Sequence, residues 1–184
     1  MASVTGVSAV MYGSRSGSGN QPTVRRLAEA ASKTFLQGVP VQLVAGYLQE
    51  WDGATVAFGI VGISMEAARN RSAAGVPQII NTPPAVANEP NAVVIQVPPF
   101  DDGKLNIYQS ENDTYFFGEV GVATATQAMV GTQYGLTKDT DNHWYVDTSK
   151  TTVGTNTVVT IVGLDDWDPR GVYFQFTTGA QQQA

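Results

Sequence analysis

From Gly171 to Phe176 apolar and polar positions alternate strictly. Val172, Phe174 and Phe176 fall on one face of an extended segment, and Tyr173 and Gln175 on the other. Segments 130–136, 143–147 and 157–164 follow the same grammar, rich in β-branched and aromatic residues and separated by Gly, Asp and Asn. Upstream, Val39, Val41 and Leu43 share a period of two. Asp52-Gly53 reads as a hairpin turn, with Val56, Phe58 and Ile60 returning on the far side. Val93, Ile95 and Val97, then 105–108 and 115–117, predict further strands. The pattern specifies a mainly β fold, a small antiparallel β-barrel or sandwich.

Four stretches depart from that period. Thr23 after Pro22 is placed to cap a short helix, since Val24, Leu27, Ala28, Ala31 and Phe35 recur at helical spacing. Ser64 could cap another turn or two through Arg69. Residues 1–22 are rich in Gly and Ser, offer little apolar area, and read as a flexible N-terminal arm. Six of the nine prolines lie between Gly75 and Phe100. Proline removes ladder donors, so 72–91 reads as a long Pro-rich loop, a feature uncommon unless it binds something. The β-rich domain then spans 23–176, and 177–184 is expected to be a disordered tail. No internal repeat is evident.

Charge changes the picture of the surface. Charged residues are 14% of the chain, against about 25% in an ordinary domain, which leaves uncharged surface to lie against a partner. Residues 1–71 carry six basic and four acidic groups, net +2, and 72–184 carry four and twelve, net −8. The arginines are scattered without aromatic interleaving, and the acidic remainder repels phosphate, so no direct nucleic-acid contact is expected. The N-terminal residues have no basic region followed by an apolar core, and no run approaches the roughly 18 apolar residues of a membrane span. With no cysteine there is neither a disulfide nor a thiolate metal site, which fits synthesis in a reducing cytoplasm.

Candidate chemistry is sparse. Asp139-Thr140-Asp141-Asn142-His143 resembles the opening of a calcium loop, but Trp144 and Lys150 stand where Gly and Glu belong, so it reads as a turn before a strand. Asp165, Asp166 and Asp168 before Pro169-Arg170-Gly171 again have turn composition. His143 is the sole imidazole, and no nucleophile elbow or phosphate loop accompanies it. Trp51, Trp144 and Trp167 could form a sugar-stacking platform, although tryptophan near a strand end is more often packed. The expectation is a protein with no enzyme activity, no cofactor and no metal.

One resemblance adds to this reading. Phe35-Leu36-Gln37-Gly38-Val39-Pro40-Val41-Gln42-Leu43, Gly46 through Asp52-Gly53, and Phe58-Gly59-Ile60-Val61-Gly62-Ile63-Ser64 resemble the head proteins of tailed bacteriophages, above all capsid decoration (cement) proteins. Gly131-Thr132-Gln133-Tyr134-Gly135-Leu136, with Tyr145-Val146-Asp147 and a final strand pair, is similar to the same group. The resemblance implies a virion protein on the capsid exterior that binds the major capsid protein, self-associates as a homotrimer and bridges shell subunits. Val7, Val10, Met11 and Tyr12 would then find apolar contacts on the shell, while Arg15, Arg25 and Arg26 approach its acidic residues. Two alternatives stay open: a carbohydrate-binding β-sandwich or adhesin module, and a tail or connector component.

Overall fold

The computed structural model describes residues 23–53, 59–70, 74, 78–79, 100–111, 114–121 and 124–182. It is mainly β, with two antiparallel five-stranded sheets. The first sheet runs β1 (Val24–Ala28), β7 (Lys104–Gln109), β4 (Gly62–Ser64), β2 (Pro40–Val44), β3 (Tyr47–Glu50). The second runs β8 (Phe116–Glu119), β12 (Gly171–Phe176), β11 (Val159–Leu164), β9 (Gln133–Lys138), β10 (Trp144–Asp147). β5 (Gln78–Ile79) and β6 (Phe100–Asp101) form a separate two-stranded ribbon.

The two sheets are the same unit built twice. Numbered within its own unit, each sheet has the strand order first, fifth, fourth, second, third. The registers match as well. Val41 pairs with Gly62 and Gly62 with Gln109; in the second unit Tyr134 pairs with Val159 and Val159 with Phe176. In each unit the residue after the first strand makes a parallel bridge to the third, Glu29 to Leu48 and Val120 to Val146. Those bridges bring the edges of each sheet together at one point without a closing ladder, so a two-sheet sandwich describes the fold better than a closed barrel. Even the lead into the second strand repeats: Gly38 N–H donates to Ser64 O and Gly131 N–H to Ile161 O, each glycine with φ of 83°. A side chain there would sit in the left-handed region that glycine tolerates.

Alternation fills the core as the period of two demands. Val172, Phe174 and Phe176 are buried, with Leu105, Ile107, Leu48 and Val146. Phe116, Phe174 and Phe176 pack with ring centroids 5.3–6.0 Å apart. Such aromatic burial dominates the apolar area removed from water.

Local pattern misplaces several elements. No helix forms over 23–35: Val24–Ala28 is β1, with Leu27 opposite Leu105 and Arg25 opposite Ile107. Pairing to a buried strand outweighs a short helical spacing, and Ser32 at φ 53° interrupts any helix beyond it. Ser64 caps nothing. Its Oγ accepts from Val39 N–H and donates to Leu36 O, while Met65, Ala68 and Asn70 send their N–H groups to distant carbonyls. Among the described residues the one helical piece is a 3₁₀ turn, Gln127–Met129. The first hairpin turns at Ala45-Gly46, both with positive φ as a two-residue loop requires, whereas the return expected after Asp52-Gly53 through Val56 and Phe58 lies outside the described residues. The expected strand at 93–97 and, apart from 74 and 78–79, the 72–91 loop lie outside the described residues, as does the arm 1–22. Residues 177–182 are not a disordered tail: Gln181 bridges Ile60 in parallel, and the Gln182 side chain exchanges hydrogen bonds with the Leu43 backbone at 2.9 and 3.2 Å.

Two glycines separate backbone freedom from close approach. A Cβ at Gly131 would meet nothing within 4 Å, so Gly131→Ala should cost only the left-handed strain, about 1–2 kcal/mol. A Cβ at Gly62 would lie 2.0 Å from the Tyr108 carbonyl oxygen, where β4 meets β7. Gly62→Ala should therefore cost about 3 kcal/mol or more in urea unfolding; equal losses for the two variants would contradict this packing.

Candidate functional site

The side chains singled out in the sequence do not converge. Val7, Val10, Met11, Tyr12 and Arg15 lie outside the described residues. Arg25 and Arg26 stand on β1, where Arg26 Nη2 meets Asp102 Oδ1 at 2.9 Å. That arginine thus ties β1 to the residues leading into β7. Nor do the three tryptophans make one platform: Trp51 and Trp144 are buried, whereas Trp167 is 93% exposed.

Trp51 and Trp144 meet at the seam between the two units, their ring centroids 5.2 Å apart. Glu50, at the end of β3, serves both sides of that seam. Its Oε1 accepts from Trp144 Nε1–H at 2.9 Å and lies 2.8 Å from Lys138 Nζ; its Oε2 accepts from the same ammonium at 3.0 Å. A cleft of about 590 Å³ opens beside this node, lined by Phe35, Glu50, Lys138, Asp141 and Asn142. The node's carboxylate and ammonium are committed to each other and to an indole, which fits them to hold the seam.

The acidic groups of the second unit are turn-makers. Asp139 Oδ1 accepts from the N–H groups of Asp141 and His143, closing the β9–β10 connection as its composition predicted. Asp147 accepts from Ser149 and Thr137; burial pushes its carboxyl up, but these hydrogen bonds outweigh burial and hold it below the usual range. Burial, with Asp147 and Asp139 nearby, pushes the Tyr145 phenol up. Among the described residues no three His, Cys, Asp or Glu side chains gather as a metal-holding group.

The second sheet also carries a surface groove with aromatic character. A groove of about 470 Å³ runs over Tyr115, Val130, Thr160, Val162, Tyr173 and Gln175. A register shift in β11 between Ile161 and Gly163 leaves Val162 partly exposed. Phe117 packs on Tyr173 at 5.6 Å, and the Tyr173 hydroxyl donates to Asp165 Oδ1 at 2.8 Å, linking the groove to the turn that bears Trp167. At the base of that turn Arg170 Nη2 lies 2.9 Å from the buried Glu119 Oε2, an ion pair without hydrogen-bond alignment. Sequence spacing marked the aspartates of this turn but not the groove, because the groove's side chains come from β11, β12 and the residues before β8 and β9.

Two measurements check these assignments. Trp144→Ala should cost about 3–5 kcal/mol in chemical unfolding through the lost ring. Trp144→Phe, which keeps one aromatic ring but loses the N–H to Glu50 and part of the indole's bulk, should cost less, about 1–3 kcal/mol. Equal losses would mean that the hydrogen bond, and not ring packing, carries the seam. In the turn, the Tyr173 hydroxyl first, then the Asp168 N–H, hold the Asp165 carboxyl below the usual carboxylate range. Its stabilising effect is therefore complete above the ordinary value of about 4 and is lost as pH falls through the lower folded value. Tyr173→Phe should raise the Asp165 pKa in a carboxyl-carbon NMR titration; an unmoved value would remove the hydroxyl as the cause. No family model, curated protein or solved structure matches this chain.

Proposed function

We propose that this chain is a non-enzymatic virion structural protein that binds the outer surface of an icosahedral capsid and stabilises it by bridging shell subunits. The observation that carries this reading is the doubled β unit. A shell presents the same site repeatedly at fixed spacing. A single body with two units of one topology is suited to engage two neighbours, and the second engagement is then intramolecular.

Two further points support it. Both units carry segments that resemble decoration proteins: 35–43, 46–53 and 58–64 in the first, and 131–136, 145–147 and the final strand pair in the second. The carboxylates of Glu50, Asp139, Asp147 and Asp165 hold the seam and the turns. They serve the architecture, as in a protein whose work is contact.

The partner in this reading is the major capsid protein. Copies of the chain assemble on the shell as homotrimers, using the uncharged surface that a 14% charge content leaves. The arm 1–22 adds apolar and basic contacts, and the protein, made in the host cytoplasm, resides on the capsid exterior.

Purified protein added to expanded shells lacking it should bind in numbers comparable with the shell subunits and raise the temperature of shell disruption. An unchanged disruption temperature at saturation would reject the cementing role. Binding confined to a single vertex would point to a tail or connector component, and isolated single copies in particle reconstructions would reject the trimer.

A further inference from the structure

We propose that the β11–β12 connection, 165–170, is a preformed docking element that seats Trp167 in an apolar pocket with a basic rim on a protein partner. That the partner is a shell subunit rests on the capsid reading above; the element itself is argued from its geometry.

Trp167 is 93% exposed, while Trp51 and Trp144 are 2% and 4% exposed. An indole in water contributes nothing to the core and leaves a large aromatic face available to a partner. Tryptophan is also the residue most enriched at the energetic centres of protein interfaces.

The backbone beneath it is already fixed. Asp165 N–H donates to Gly171 O at 3.0 Å, and Gly171 N–H to Asp168 O at 2.8 Å. Asp165 Oδ2 accepts from Asp168 N–H at 2.9 Å, and Asp168 Oδ1 from Arg170 N–H at 2.8 Å. The turn is also tied to the rest of the unit. Ala125 N–H donates to Pro169 O at 2.8 Å and Val120 N–H to Arg170 O at 2.9 Å, and Arg170 meets the buried Glu119. A tip so constrained loses little conformational freedom on binding, which is what an anchor requires.

Charge names the partner's rim. Asp165, Asp166 and Asp168 flank Trp167 along the turn, and the one cation of the turn, Arg170, is drawn inward to Glu119. The tip is thus locally acidic, and a basic rim complements it. A protein fits better than a sugar. No second indole stands beside Trp167, because the other two are buried at the seam. The groove over Tyr115 and Val162 is instead tied to the base of the same turn, through the Tyr173 hydroxyl on Asp165.

The test uses the full-length protein and purified expanded shells lacking it. In the free protein, acrylamide should quench one indole of three, and Trp167→Phe should abolish that quenching without moving the melting temperature. On shell binding, the quenchable emission should shift to the blue and become protected. Trp167→Ala should weaken binding by about thirtyfold or more, mostly through faster dissociation. Asp166→Lys should slow association and flatten its salt dependence. If Trp167→Ala binds as well as the wild type, the docking element is wrong and the capsid reading stands. If the wild type does not bind shells at all, both fall. Glycan binding that disappears in Trp167→Ala would overturn the protein partner.

Discussion

The seam that joins the two sheets is organised around one carboxylate. Glu50 closes the last strand of the first sheet and reaches the second, where an indole N–H and an ammonium converge on it. Its side chain is 19% exposed, so the charge is only partly screened and must be answered by protein groups. Lys138 on β9 and Trp144 on β10 answer it, and Trp51 packs on the same indole from the first unit. Backbone pairing of Ile60 with 180–182 adds a second tie across the seam. Two units that could each be a separate small sheet are thereby held as one body.

Within each unit a buried glutamate stands near the end of the first strand. Glu29 Oε1 accepts from Arg69 N–H at 2.7 Å, and Glu119 meets the Arg170 guanidinium. In both cases the carboxylate grips the connection between the fourth and fifth strands. The positions are offset by one step, since Glu29 matches Val120 at the parallel bridge. A buried charge is costly unless paired, so each glutamate dictates that its connection return to the first strand. Local composition gave no hint of either, because both partners lie at least 40 residues away in sequence.

Strand alternation was legible wherever a strand has one buried face. β12 and β7 show it, and Val172, Phe174, Phe176, Leu105 and Ile107 are the core residues that a period of two selects. β1 was not legible, because its exposed and half-buried residues mimic a helical spacing and only β7 across from it decides the matter. The turn character of the Asp139 and Asp165 clusters was plain from composition; that Trp167 projects from one of them and Trp144 is buried beside the other was not. The doubling escaped notice for two reasons. Matching core positions carry different residues, Val41 and Tyr134, Ser64 and Ile161, Ile107 and Phe174, with identities at few places such as Gly38 and Gly131. The spacing also differs: the fourth-to-fifth connection runs from 65 to 103 in one unit and from 165 to 170 in the other.

That unequal connection is where the two units part in use. A repeated β scaffold constrains its strands through register and burial, and any change there must satisfy both neighbours. The fourth-to-fifth connection is free of that constraint once its base is fixed, by Glu29 and Arg69 in one unit and by Glu119 and Arg170 in the other. It can therefore lengthen or change its tip without disturbing the sheet. The first unit has lengthened it into the stretch that holds six prolines, and the second has kept it short and placed an indole at its tip. The Pro-rich loop and the turn that bears Trp167 thus occupy one topological address in two copies. The symmetry lies in the frame and the difference in the tips. Under the proposed bridging role, that arrangement lets one chain meet neighbouring sites through two distinct contacts.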